Sequence, residues 1–327
     1  MSTKTSSMQF VSKTESSLAY GPRLSGIYQK IVLALWLLIT IASLISMTLS
    51  IYSLNLWDRI PAAESPRYFP EMTPDNVQFL ADWQSTVLQA GFSLSGYAFI
   101  FTVARFIGGL SLFLVGILLV RRYNDRLMAM MMATLLSIFA AAGIWNNPLF
   151  VWAVSRAPWM NYPVQVLGWL LWWGVIVIYT FPDGKFTPRW TIWLAALLVP
   201  LTFLSSFGVD TFLNPDTWPG PFYLLPNILF IGSALFAVIY RYVRTPDPAQ
   251  KQALRWYTIG VSLLIGVYFV NLFITDVYYF LAGHALFEGN AATLKYILLN
   301  EPIWFACETF FAVGLALSVF RDKLLED

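Results

Sequence analysis

Eight stretches of mostly apolar residues, at about 31–54, 96–120, 127–146, 164–181, 189–208, 222–243, 256–278 and 302–320, alternate with segments where charged, proline and glycine residues collect. The hydrocarbon core of a bilayer is roughly 30 Å thick and a helix rises about 1.5 Å per residue, so about 20 mostly apolar residues cross it. The pattern predicts an all-α, polytopic membrane bundle of about eight transmembrane helices, one domain over 30–327. Residues 1–29 are rich in Ser, Thr and Lys and lack an apolar core followed by a small-residue cleavage site. They read as a disordered cytoplasmic tail and not as a cleaved leader.

Between the first two spans, Thr73 has the chemistry of an N-cap, with Pro74 at the first helical position and Asp75 in the first turn. An amphipathic helix is predicted over about 74–90, with Val77, Leu80, Ala81, Val87 and Leu88 on one side and Gln78, Asp82 and Gln89 on the other. Such a helix lies on the membrane surface or against the bundle.

Charge placement orients the chain. Fifteen of the twenty Lys and Arg residues fall before the first span, after the last or in alternate loops, including Arg121, Arg122, Arg126, Lys185, Arg189, Arg244, Lys251 and Arg321. Four fall in the opposite set (Arg59, Arg67, Arg156 and Lys295), and Arg105 lies inside a span. The positive-inside rule then puts both termini in the cytoplasm, with the long loops outside.

Composition narrows the chemistry. The chain is 58% hydrophobic and 12% charged, so lipid is its solvent and nucleic acid is not a partner. One cysteine, Cys307, and one histidine, His284, leave no internal disulfide, thiolate metal cluster, bis-histidine haem site or Ser-His or Cys-His catalytic pair. No cofactor, metal or enzymatic activity is expected.

The cytoplasmic turns carry the most particular motifs. Phe181-Pro182-Asp183-Gly184 reads as a tight turn, and Thr187-Pro188 as the cap of the next helix. Asp247-Pro248-Ala249-Gln250 is a capping-box arrangement, after which Lys251, Arg255 and Trp256 ride a helix running into span seven. Together with Arg121-Arg122, Asp125-Arg126, Arg241-Tyr242 and the closing Gly314-Leu315-Ala316 to Arg321-Asp322-Lys323-Leu324, these resemble the amino-terminal membrane regions of bacterial sensor histidine kinases over about 96–325. In that family the last span continues into a dimerisation and phosphoacceptor region and an ATP-binding domain. Here the sequence reaches Asp327 without them, so the resemblance implies the sensing half alone, in the inner membrane of a bacterial cell, with the kinase lost or on another chain, or the module adopted for a different membrane task.

Charges at bilayer depth are costly, which singles out Arg105 and Glu308, both in the outer half of their spans. Thr102, Arg105, Gly109 and Gly116 share one side of span two, and Glu308, Ala312 and Ala316 one side of span eight. The two charges pair if those spans are neighbours, either to fix packing or to bind a polar ligand. Tyr268, Asn271, Thr275 and Tyr278 form a polar stripe on span seven, with Asp276 near its outer end, and neighbouring helices or a pocket must satisfy them. The tryptophans serve first as interface anchors; Trp172 and Trp173 are the ones placed to wall a site for a pigment, quinone or lipid. Pro200 and Pro226-Asn227 are candidate kinks.

These features point to a non-catalytic, signal-sensing membrane module with a cytoplasmic signalling protein or kinase as partner. A structural or accessory subunit of a larger energy-converting membrane complex, a homo-oligomer, and a small-molecule transporter are the rival readings.

Overall fold

The computed structural model describes residues 22–59, 81, 84, 85, 87–141, 161–207, 214, 218, 222, 224–273 and 291–325. Each of the eight apolar stretches is helical there: α1 Gly26–Arg59, α2 Leu94–Tyr123, α3 Leu127–Ala141, α4 Asn161–Thr180, α5 Thr191–Phe207, α6 Leu225–Arg244, α7 Pro248–Leu272 and α8 Ala291–Ala316. Among the described residues, five segments are long and apolar enough to cross a bilayer: Gly26–Thr48, Leu94–Tyr123, Leu225–Arg244, Pro248–Leu272 and Pro302–Arg321. Leu127–Ala140, Gln165–Thr180 and Thr191–Phe207 are shorter apolar helices.

Local chemistry sets the element ends. Gly91, at φ +86°, closes the short helix before α2. Phe92 N–H donates to the Val87 carbonyl and Gly91 N–H to that of Leu88, the paired bonds of a Schellman cap that only a residue tolerant of positive φ accommodates. Ala81, Gln84, Ser85 and Val87–Gln89 of the predicted amphipathic helix are helical; its earlier residues, Thr73 to Leu80, lie outside the described set. Its buried side is Gln84 and Val87, while Leu88, grouped with Val87 on the apolar side, is 55% exposed. Ser93 then caps α2 by accepting from Gly96 N–H at 3.0 Å.

Three boundaries differ from the sequence reading. The helix α1 begins at Gly26, and Pro22–Leu24, counted in the tail, pair with the α2–α3 turn: Leu24 N–H donates to the Asp125 carbonyl at 2.6 Å and Leu127 N–H to that of Pro22 at 3.2 Å. Residues 1–21 lie outside the described set. Pro226 does not kink α6, because it occupies the first turn, where its missing N–H has no intrahelical partner to lose. Thr187 does not cap α5, which starts at Thr191; the Thr191 hydroxyl donates to the Pro188 carbonyl at 2.7 Å, and Thr187 stays in the turn. Pro200 is inside α5, as read.

Helix packing follows a closed circuit. The helix α2 packs on α3, α3 on α4, α4 on α6, α6 on α7, α7 on α8, and α8 back on α2. Outside this ring, α1 leans on α2 and α3, and α5 on α4 and α6. The inner side of α1 is a narrow stripe of Trp36, Thr40, Ser43 and Met47, with the Thr40 hydroxyl 2.9 Å from that of Ser137 on α3. Its other faces carry exposed Leu35, Leu38, Ile41 and Ile45, as a helix solvated by lipid requires. Small residues bring backbones together: a Cβ on Gly314 would stand 2.6 Å from the Trp256 carbonyl oxygen, and one on Gly260 3.0 Å from the Phe311 Cα.

Candidate functional site

The turn after α4 and the last turn of α6 meet in one cluster. Asp183, in the turn after α4, accepts from Lys185 N–H at 3.1 Å, and Gly184 takes φ +76°. From the last turn of α6, the Arg241 guanidinium donates to Asp183 Oδ1 at 2.6 Å, to the Tyr179 carbonyl at 3.1 Å and to the Lys185 carbonyl at 2.7 Å. Phe181 is fully buried and its ring meets that of Tyr257 on α7 at 4.9 Å. Tyr179 adds a 2.6 Å hydrogen bond to the Ser233 hydroxyl on α6. Sequence reasoning singled out Phe181, Pro182, Asp183, Gly184 and Arg241 separately; the fold makes them a clamp joining α4, α6 and α7.

The second capping motif is separate from that clamp. Asp247 caps α7 by accepting from Ala249 N–H at 3.1 Å, and Arg255 lies over the Trp256 ring at 5.5 Å. Arg321, at the far end of α8, lies near the same ring at 5.8 Å. There α8 widens into a π-helical turn, Leu317–Arg321. Its Ser318 hydroxyl, fully buried, accepts from Tyr257 N–H at 2.8 Å.

Arg105 and Glu308 are both buried, at 5% and 2% exposure, where α2 meets α8. The Arg105 guanidinium carbon is 5.5 Å from the Phe305 ring centroid, one turn before Glu308. Glu308 accepts from the Trp304 indole N–H at 2.7 Å, and its Oε2 lies 3.2 Å from where a Cβ on Gly108 would be. The glycine that admits the carboxylate is therefore Gly108. Gly109 and Gly116, grouped with Arg105 in the sequence reading, sit against Met47 and Ala133 instead, because a step of one residue turns a helix by about 100°.

The feature that sequence reasoning reached only in part is inside the ring. A cavity of about 250 Å³ is walled by α3, α4, α6, α7 and α8. Leu171, Trp172 and Ile178 come from α4, Val261 and Tyr268 from α7, and Trp304 and Phe311 from α8. Along each of those helices the wall extends seven residues, about 10 Å of helical rise. Trp172 faces this space, whereas Trp173 packs edge-on against Trp169 at 5.5 Å. Trp193 is 76% exposed, suited to an interface anchor. Tyr268 donates to Asn227 Oδ1 at 2.8 Å, so the polar stripe is tied to α6 at the edge of the cavity. Asn271 is half-buried; Thr275, Asp276, Tyr278 and His284 lie outside the described residues.

A bundle whose apolar side chains face outward and whose charges are clamped between helices is a membrane-embedded helical protein. No protein-family model, curated protein or solved structure matches this chain.

Proposed function

We propose that the protein is a non-catalytic signal-sensing module of the bacterial inner membrane, with eight spans and both termini in the cytoplasm. The observation that carries this reading is the course of α8. That single helix walls the cavity through Trp304 and Phe311, buries Glu308 against α2, and ends in a π-helical turn tied to α7 through Ser318 and Tyr257. A ligand or membrane change felt at the cavity would bias α8, and the altered end would be read by a cytoplasmic partner. The resemblance of the clamp motifs to sensor histidine kinases supports the same assignment, and so does the crowding of Lys and Arg at one end of the helices.

The test is site-specific photo-crosslinking from Lys323 in the native membrane, paired with thiol labelling of Lys185→Cys and Lys295→Cys in a Cys307→Ser background. The expected result is cytoplasmic exposure of position 185, outside exposure of 295, and a crosslinked protein bearing a phosphoacceptor histidine and ATP-binding domain whose yield changes in Glu308→Gln. Crosslinking only to stoichiometric integral membrane subunits would favour the accessory-subunit reading, which the exposed faces of α1 also suit.

A further inference from the structure

We propose that the cavity within the helix ring is a binding site for a neutral, planar-ring membrane lipid of the isoprenoid-quinone class. The proposal rests on the sensing reading for its purpose, but occupancy of the site is tested separately.

Three observations select the ligand. The first is access: the wall is built from membrane helices and carries no Asp, Glu, Lys or Arg side chain among the described residues, so it suits an uncharged solute drawn from the bilayer. The second is shape. A cavity of roughly 150 Å³ takes benzene, so one of about 250 Å³, two helical turns long, takes a bicyclic ring. The third is the distribution of rings. Phe139, Trp172, Tyr268, Trp304 and Phe311 approach from four helices, offering faces and edges to a flat ligand, while Leu135 and Val261 line the remainder. A flexible acyl chain gains little from that many aromatic neighbours.

The wall is almost wholly apolar, and among the described residues lining it Tyr268 alone carries a hydroxyl. The Tyr268 hydroxyl, held by Asn227, can turn to donate to a ring carbonyl, and Asn227 then retains its own amide for Tyr268. Trp304, whose ring centroid lies 6.5 Å from that of Tyr268, is fixed by Glu308, so an occupant pressing on its indole presses on the buried carboxylate beside Gly108. This links the site to the α2–α8 contact without any bond being made or broken.

The experiment uses the full chain in nanodiscs of phosphatidylglycerol doped with a naphthoquinone bearing one isoprenyl unit, with the ligand that remains after washing extracted and quantified. The expected result is about one quinone per protein, with affinity falling about three- to tenfold in Tyr268→Phe, the loss of one hydrogen bond. Ala234→Phe, which projects a ring into the space, should abolish retention. The lipid-facing Leu197→Phe should leave retention unchanged. Equal retention in Ala234→Phe, or retention of phospholipid in place of quinone, overturns the proposal. If Ala234→Phe does not fold, mapping of an azido-naphthoquinone on the unmodified protein decides: labelling of α4, α7 and α8 supports the site, and labelling confined to the outer faces of α1 or α5 rejects it. Quinone bound without any change in the Lys323 crosslink would leave the site standing and count against the sensing role alone.

Discussion

Arg241→Met keeps a long apolar stem but removes the guanidinium that holds the turn after α4 to the end of α6. Three hydrogen bonds are lost at once, to Asp183 and to the carbonyls of Tyr179 and Lys185. A hydrogen bond to a charged group contributes about 1.5–3 kcal/mol, and breaking a buried ion pair costs about 3–5 kcal/mol. Because the three bonds share one group and both side chains retain 10% exposure, these figures overlap instead of adding. The expected destabilisation is about 3–4 kcal/mol. Asp183→Asn, which keeps an oxygen for Lys185 N–H, should cost about 1–2 kcal/mol. Unfolding in mixed micelles titrated with dodecyl sulfate, followed by tryptophan fluorescence, gives the double-mutant cycle. The pair should show coupling of at least about 1 kcal/mol. Additive losses, with coupling below about 0.5 kcal/mol, would refute the idea that Arg241 acts through Asp183.

Other perturbations test the packing and the buried polar contacts. Gly314→Ala sets a methyl against the Trp256 carbonyl oxygen and should lower stability by about 1–3 kcal/mol, whereas Gly109→Ala crowds the flexible thioether of Met47, with the Ala140 carbonyl at an ordinary contact distance, and should cost under about 1 kcal/mol by the same titration. Ser318→Ala removes the acceptor for Tyr257 N–H and should cost about 1–2 kcal/mol; a neutral outcome would mean that the π-helical turn is not held by that bond. Glu308→Leu deprives the Trp304 indole of its acceptor, so an indole N–H resonance assigned to Trp304 should shift on substitution; no movement would separate the two groups in the native membrane protein.

The membrane character and the positions of the helices were legible because hydrophobic runs of about 20 residues have few other uses. Helix ends were less so. Pro226 looks the same in sequence whether it interrupts a helix or begins one, and only the start of α6 at Leu225 decides between them. Arg105 and Glu308 stood out by the cost of burying charge, but their shared interface needed α2 and α8 to be neighbours, which no local pattern encodes. The clamp was visible as two sets of turn residues, and its closure across 58 residues from Asp183 to Arg241 was not. The cavity was the hardest feature to foresee. An apolar side chain toward lipid, toward a helix or toward a void gives the same hydropathy, so Trp172 could be suspected and Val261 could not.

The closure of the ring by α2 against α8 also has a bearing on biogenesis. The surface of α2 holding Arg105 and Gly108 enters the membrane long before Phe305 and Glu308 have been synthesised. Until the last helix arrives, that charged and glycine-lined stripe lacks its final wall. Burial of Arg105 and Gly108 is therefore delayed until the last helix has been made, whatever the earlier helices of the ring have already packed.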